Sequence, residues 1–146
     1  MRDKTYQFQN FLNYPNIIRG ISTKAFGSMK KDDSLLACEN IEVFRKSISI
    51  VERAVSMQKI HSGNVAKVSN LEKLRIPETD ALVTGTKKLP LVVLTADCLP
   101  IMLYDPTKKV IGIVHAGYKG LLKQIIGNTV KRFISEFGSK PADIIV

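Results

Sequence analysis

The stretch TADCLPIMLYDPTKKVIGIVHAGYKG, residues 95–120, decides the fold of this chain. With the residues just before it, this stretch contains three apolar runs, and turn-forming residues separate the second run from the third. Cys98 follows the first run and His115 ends the third. Because open α/β sheets place functional groups where strands end, we expect Cys98 and His115 to meet in one site. The runs predict central strands at about 90–95, 100–104 and 109–115.

Outside this stretch, the spacing of apolar residues predicts both strands and helices. Apolar side chains recur at helical spacing in residues 34–49 and again in 118–137, where Gly138 follows as a C-terminal cap. Residues 71–79 contain a proline and show no regular pattern. The predicted fold class is therefore α/β or α+β. Further strands are predicted at 4–12, 17–23, 54–60, 65–68 and 81–84, and another begins at Asp143.

The composition is that of one globular domain with a hydrophobic core. Of 146 residues, 45% are hydrophobic and 24% are charged, which are ordinary values for a single domain. The N-terminus lacks the apolar segment of a secretory signal, and no apolar run reaches the length of about 18 residues that a membrane span needs. We therefore expect a cytoplasmic protein with reduced cysteines and no membrane partner.

The chain is basic, with 22 Lys and Arg against 13 Asp and Glu and a formal net charge of +9. Its basic residues are spread evenly or paired in expected turns, and they form no stripe interleaved with aromatic residues. A nucleic-acid partner is therefore not expected. A basic surface does attract phosphate and nucleotide ligands.

The chain has only two histidines, and each stands at the end of a predicted strand. His61 and His115 could bind one zinc ion together with Cys98, which would leave a fourth position for water or substrate as in catalytic zinc sites. In that case the three side-chain tips should lie within about 4 Å of each other. Two alternatives stay open on spacing alone. The residues are a packed thiol with two surface imidazoles, or Cys98 is a nucleophile activated by His115.

The loop HAGYKG, residues 115–120, leads from the last predicted strand into the helix predicted at 118–137. Its glycines allow close approach of the backbone, and a helix N-terminus together with Lys119 favours an anion such as phosphate. An ordinary glycine-containing turn between a strand and a helix explains the same residues equally well.

Four segments, in this order along the chain, resemble the motifs of the YfiH-like laccase-domain family. They are KIHSGNV at 59–65, TDALVT at 79–84, TADCLP at 95–100 and HAGYKG at 115–120. The N-terminal segment GISTKAFGS is similar to the strand and loop that open the family's domain. The resemblance therefore implies a single laccase domain over residues 1–146, with a four-layer α/β/β/α arrangement of mixed sheets.

Members of that family were first described as polyphenol oxidases and are now regarded as purine nucleoside phosphorylases with adenosine deaminase activity. The resemblance implies a zinc-dependent enzyme whose partners are phosphate and purine nucleosides: adenosine, inosine, guanosine and methylthioadenosine. One alternative is a copper-dependent polyphenol oxidase, although two histidines are few for several copper centres. The other alternative is an inactive binding module.

The resemblance also assigns roles to individual residues of this chain. It makes His61, Cys98 and His115 the metal ligands and catalytic residues, and it adds Asp97 to the catalytic set. The residues that it implies for binding phosphate or substrate are Asp80, Gly117, Tyr118, Lys119 and Gly120.

The chain departs from the family's usual motifs at a few positions. Tyr118 stands for the usual Trp and Lys119 for the usual Arg, so an anion would meet a point charge in place of a bidentate fork. Lys59 and Ser62 replace Gln and Gly. Family members continue further along the chain, so we expect a C-terminal truncation. The strand beginning at Asp143 should then expose an incomplete edge that favours self-association.

Overall fold

The computed structural model describes residues 5–6, 8–29 and 35–146, without the side chains of residues 35–38. The chain divides into two compact units, residues 1–51 and residues 52–146. Both combine helices with mixed or antiparallel strand pairs, so the predicted α+β class is confirmed. Among the described residues, the helices are too short and too polar to cross a bilayer.

The first unit contains one small strand pair and one helix. Strand β1 (Thr5–Tyr6) pairs antiparallel with β2 (Ile21–Ser22), and helix α1 spans Leu35–Ser47, close to the predicted 34–49. Within the residues that the structure describes, the strands predicted at 4–12 and 17–23 are thus two residues each. Much of the first prediction was wrong because Gln9–Phe11 form a 3-10 turn, in which the Phe11 N–H donates to the Phe8 carbonyl.

The second unit is built on a four-stranded mixed sheet. Its strand order is β4-β6-β8-β7, with β4 and β6 parallel and the remaining neighbours antiparallel. A separate parallel pair joins β3 to β5, and β5 lies in the stretch predicted to be irregular. The strands are β3 (Ser56–Met57), β4 (Val65–Lys67), β5 (Arg75–Ile76), β6 (Ala81–Thr84), β7 (Leu99–Asp105) and β8 (Val110–Ala116).

Side chains on alternate faces of the sheet enter two hydrophobic clusters, as the period of two in a strand requires. On one face, strand residues such as Val83 and Val114 pack with Ile125 and Phe133 of a helix. On the other face, Leu82 and Ile113 pack with Val55 and other residues of the preceding segment. The sheet is therefore covered on both sides, as the apolar runs predicted.

The helix predicted at 118–137 is two helices. Helix α2 spans Tyr118–Leu122 and helix α3 spans Ile125–Phe137. Gln124 adopts a left-handed conformation with φ 56° and interrupts the first helix before the second begins. The predicted end of the helix is confirmed, because Gly138 caps α3 with φ 67°.

The apolar run at 90–95 is not the predicted strand. It forms a single parallel bridge, between Leu91 and Val55, and Pro90 has no N–H to extend the pairing. Its apolar side chains pack against the cluster around Val55 instead. At the other end of the unit, the strand predicted from Asp143 is one antiparallel bridge, in which Ile145 pairs with Tyr104 of β7.

Candidate metal centre

The antiparallel hairpin of β7 and β8 brings Cys98 and His115 to one end of the sheet. In its register Leu99 lies opposite Ala116, and Pro100 lies opposite His115. Cys98 therefore precedes the first residue of β7, whereas we had predicted it at the end of an earlier strand. The expected meeting of the two residues occurs, because the start of one antiparallel strand lies beside the end of its neighbour.

His61 reaches the same end of the sheet from a tight loop. Its φ of 57° is left-handed, which is uncommon for a residue with a side chain. The Asp80 carboxylate holds this loop from within. It accepts hydrogen bonds from the backbone N–H groups of Ile60, His61 and Ser62 at 3.2, 3.1 and 2.7 Å, and from the Ser62 hydroxyl at 2.7 Å.

The same buried carboxylate holds His115. His115 Nδ1 lies 2.8 Å from Asp80 Oδ1, and the His115 N–H donates to the Asp80 carbonyl at 2.7 Å. Burial would raise the pKa of Asp80, but hydrogen bonds, chiefly from the Ser62 hydroxyl and N–H, outweigh burial and lower the pKa to about 2. Because an ionised carboxylate can only accept, His115 Nδ1 is the donor in this contact, and Nε2 is the ring nitrogen left to face a ligand.

The three predicted ligands converge. One ligand atom from each of His61, Cys98 and His115 lies within 4.8 Å of the others, slightly wider than the expected separation of about 4 Å. The two imidazole rings meet edge to face, with centroids 5.0 Å apart. His61 is exposed, Cys98 is half-buried and His115 is buried, so the cluster is open on the side of His61. Two imidazoles and one thiolate are a donor set that suits zinc.

Gly117 closes the cluster against the start of α2. A Cβ atom built on Gly117 would lie 2.9 Å from His61 Cδ2 and 3.0 Å from Cys98 Sγ. The first separation is shorter than real Cβ contacts and the second is tighter than most, so a side chain at position 117 would have to displace His61 or Cys98. Gly117 thus lies at the site, as predicted, although it contributes space in place of a side chain.

The other predicted site residues have different surroundings. Tyr118, at 76% exposure, and Lys119 lie on the exposed face of α2, while Gly120 is buried. Because α2 has only five residues, its dipole adds little to anion binding and Lys119 is the main positive group there. Asp97 is exposed beside Cys98. Asp80, predicted to bind substrate, is completely buried, so its position favours support of His115 over direct contact with a ligand.

Several supporting residues escaped the sequence analysis. Ser62 was noted only as a departure from the family motif, yet it is buried and donates to Asp80. The Lys59 ammonium donates to the Leu94 carbonyl, which connects the segment before His61 to the segment before Cys98. Their contacts are to a backbone carbonyl or to a residue distant in sequence, which residue type alone does not reveal.

Comparison with known proteins identifies the family of this chain. The sequence model of the family described as multi-copper polyphenol oxidoreductase laccase matches residues 19–146. This chain belongs to that family. The match includes all three converging residues.

Curated relatives of this laccase-family chain carry the name purine nucleoside phosphorylase. The one from Streptomyces coelicolor is 37% identical over 121 residues, which cover 82% of this chain and 50% of that protein. Purine nucleoside phosphorylase YlmD of Bacillus subtilis is 30% identical over 155 residues, covering 90% of this chain and 55% of YlmD. The chain thus spans about half the length of these relatives.

Solved structures of family members have the same fold. The crystal structure of the Bacillus licheniformis hypothetical protein YfiH superposes with a TM-score of 0.70 at 29% identity, covering 74% of this chain and 44% of that chain. YlmD from Geobacillus stearothermophilus gives a TM-score of 0.70 at 25% identity, covering 74% of this chain and 43% of that chain. These values confirm the predicted resemblance to YfiH-like proteins.

Proposed function

We propose that this chain is a zinc-dependent purine nucleoside phosphorylase whose catalytic centre is formed by His61, Cys98 and His115. The observation that carries the proposal is the convergence of their ligand atoms within 4.8 Å, at an end of the sheet that is open to solvent on one side. The names of the curated relatives supply the reaction class. Their greater length makes the activity of this chain a matter for experiment.

The donor set fits a zinc ion. Zinc in catalytic sites takes three protein ligands from His, Cys and carboxylates, and a buried carboxylate behind one of the histidines is a common support. Asp80 fills that supporting position behind His115. A bound zinc ion would supply Lewis acidity next to the substrate.

In phosphorolysis a phosphate oxygen forms a bond to C1′ of the ribose while the bond between C1′ and the purine nitrogen breaks. The electron pair leaves on the purine, which takes up a proton, and the products are the free base and ribose 1-phosphate. The protein has to hold phosphate and nucleoside in line and to stabilise the charge on the leaving base. Lys119 is the proposed contact for phosphate, and Asp97 is kept as a candidate for proton transfer.

The exposed side of the cluster is the proposed position of the nucleoside. Tyr118 directly follows Gly117 and is 76% exposed. Leu99 directly follows Cys98 and is 61% exposed. Aromatic and aliphatic side chains beside the metal site could cover the flat face of a purine, which buries apolar area on both partners. We also propose a cytoplasmic location, because the reducing conditions there keep a ligand thiol such as Cys98 available.

The proposal also includes self-association along the outer edge of the sheet. Strand β7 lies at one end of the strand order, and its edge pairs with Ile145 through a single bridge. Backbone groups on such an edge can accept another strand. Size-exclusion chromatography over a range of concentrations should show a dimer or larger species, and a monomer at every concentration would remove this part of the proposal.

The proposal is tested by incubating the chain with zinc, phosphate and either inosine or adenosine, and by separating the products chromatographically. We expect free base and ribose 1-phosphate to appear only when phosphate is present. Inosine formed from adenosine without phosphate would report the accompanying deaminase activity. Turnover of a phenol by the copper-loaded chain, with no nucleoside cleavage, would favour the copper oxidase alternative instead.

The matched controls use the two cysteines of the chain. Cys98→Ser should abolish phosphorolysis, whereas Cys38→Ser should leave it unchanged because Cys38, in α1, has no role in the proposed centre. Base release that is equal in both variants, or that is absent from the zinc-loaded wild type, would refute the proposed function.

A further inference from the structure

The loop that carries His61 packs against the corner between α2 and α3. This corner, Lys123–Gln124, is the place where Gln124 turns left-handed and interrupts the helical path. The spacing of apolar residues continues unchanged through the corner, so the sequence does not predict it. The contacts between the corner and the His61 loop suggest a role for the corner in the proposed site.

Asn128 of α3 joins the corner to the loop. Its side-chain nitrogen donates to the Gly63 carbonyl at 3.0 Å and to the Lys123 carbonyl at 3.0 Å. A carboxamide nitrogen carries two hydrogens, so both bonds can form together. Lys123 adds a third connection, because its ammonium lies 3.3 Å from the His61 carbonyl.

The approach between the loop and the corner is close enough to exclude a side chain. A Cβ on Gly63 would lie 2.8 Å from the Lys123 carbonyl oxygen and 2.9 Å from Asn128 Nδ2. On the other side of the contact, a Cβ on Gly120 would lie 3.2 Å from the Ser62 carbonyl oxygen. The loop backbone thus rests directly on the corner backbone, and the Asn128 amide fills the remaining space between them.

His61 needs this support more than the other ligands do. It is the exposed member of the cluster, and its backbone has a left-handed φ of 57°. Such a conformation persists only where the surrounding contacts hold it. Asp80 binds the N–H groups on the inner side of the loop, whereas Asn128 and Lys123 bind its carbonyl groups. The two sets together fix both sides of one turn.

We infer that Asn128 is a positioning residue for His61, acting through the Gly63 carbonyl and the α2–α3 corner. The inference rests on the proposed function for the role of His61 as a ligand, but the positioning itself is a property of the metal-free chain. The matched substitution is Asn128→Asp, which keeps the shape and removes both N–H donors. Asn128→Ala is the second variant, for the case in which a carboxylate beside two backbone carbonyls prevents folding.

The test has two readouts, both corrected for any change in stability measured by thermal unfolding. Hydrogen exchange of the metal-free protein should show faster exchange at the amides of residues 60–62 in the Asn128 variants. Competition with a chromophoric chelator should show zinc affinity weakened about tenfold, the lower end of the range for residues that support metal ligands. The control is Asn40→Ala, since Asn40 also donates to a backbone carbonyl, but that carbonyl belongs to Ser28 and not to the His61 loop.

Unchanged exchange at residues 60–62 in both Asn128 variants would overturn the inference, whatever the wild type does with zinc. Faster exchange together with weaker zinc binding supports it. Faster exchange in a protein whose wild type binds no zinc would leave the positioning intact and would refute the proposed metal centre. An equal loss of zinc affinity in Asn40→Ala would show a general effect and would also overturn the inference.

Discussion

The hairpin of β7 and β8 has a buried aspartate near each of its ends, and the two differ in what they bind. At the turn, Asp105 accepts hydrogen bonds from the backbone N–H groups of Thr107 and Lys108 at 2.8 and 2.9 Å. At the open end, Asp80 binds backbone N–H groups as well, but also a hydroxyl and the imidazole of His115. Both carboxylates are fully buried.

The difference separates a carboxylate that closes a turn from one that supports a candidate metal ligand. Asp105 closes a turn through Oδ1, while its Oδ2 has no hydrogen-bond partner among the described residues. Asp80 uses both oxygens, and its Oδ1 alone contacts two of the three converging ligands, at the His61 N–H and at His115 Nδ1. Both ends of the hairpin therefore share a buried aspartate, and the presence of an imidazole partner distinguishes the candidate metal centre.

The largest effect is expected from replacing each aspartate by asparagine. An amide at position 80 cannot accept from every donor that now surrounds Asp80, so His115 loses its fixed orientation. We expect Asp80→Asn to weaken zinc binding by about 100-fold, measured by competition with a chromophoric chelator. Asp105→Asn should lower stability while zinc affinity stays unchanged. Equal zinc affinities in the two variants would remove the distinction between the two ends.

A smaller effect, on folding stability, is expected when the pH is lowered. The pKa of Asp80 is lowered from 3.8 to about 2 in the folded chain, so the unfolded state binds the proton more readily. This carboxylate therefore stabilises the fold fully above its ordinary pKa, and its contribution of about 2 kcal/mol is lost as the pH falls from about 4 to about 2. Urea unfolding of the metal-free wild type should show this loss, and Asp80→Asn should not. Parallel curves for the two proteins would contradict it.

The smallest effect concerns two glycines near the start of the helices. Gly117→Ala would push a methyl group against His61 and Cys98, at a cost of about 1 kcal/mol, the lower end of the range for overpacking, or roughly fivefold in zinc affinity. Gly127, inside α3, has its nearest neighbour, Gln124 Cβ, at 4.0 Å. Gly127→Ala should therefore stabilise the chain by about 0.5–1 kcal/mol without changing zinc affinity. Scanning calorimetry measures the stability and titration calorimetry measures the zinc affinity. Unchanged stability and zinc affinity in Gly117→Ala would show that the cluster is looser than described.

The sequence predicted the central strands and the long helices because their side chains carry the periodic pattern. Strand β6 was predicted at its observed bounds, 81–84, and α1 within two residues of them. The break at Gln124 was missed, since a single left-handed residue leaves the spacing of apolar side chains intact on both sides. The run at 90–95 was misassigned because packing, and not strand pairing, accounts for its apolar character.

The sequence predicted the three candidate ligands, but it did not predict how other residues hold those ligands in place. His61, Cys98 and His115 stand in motifs that resemble a known family, so their convergence could be expected. Asn128, by contrast, acts on a backbone carbonyl 65 positions away, and any donor of the right length could do so. Residue type does not encode such a contact, and only the folded backbone shows which carbonyl is in reach. The four-layer arrangement stays a prediction, because the two units are described separately.

The most direct test of the account is X-ray absorption at the zinc edge of the zinc-loaded chain. The account predicts about one zinc per chain, with one sulfur near 2.3 Å and two imidazole nitrogens near 2.0–2.1 Å. Cys98→Ser should remove the sulfur shell, and Cys38→Ser should keep it. A wild-type spectrum without sulfur, or a sulfur shell that survives in Cys98→Ser, would contradict the assignment of His61, Cys98 and His115 as a metal centre.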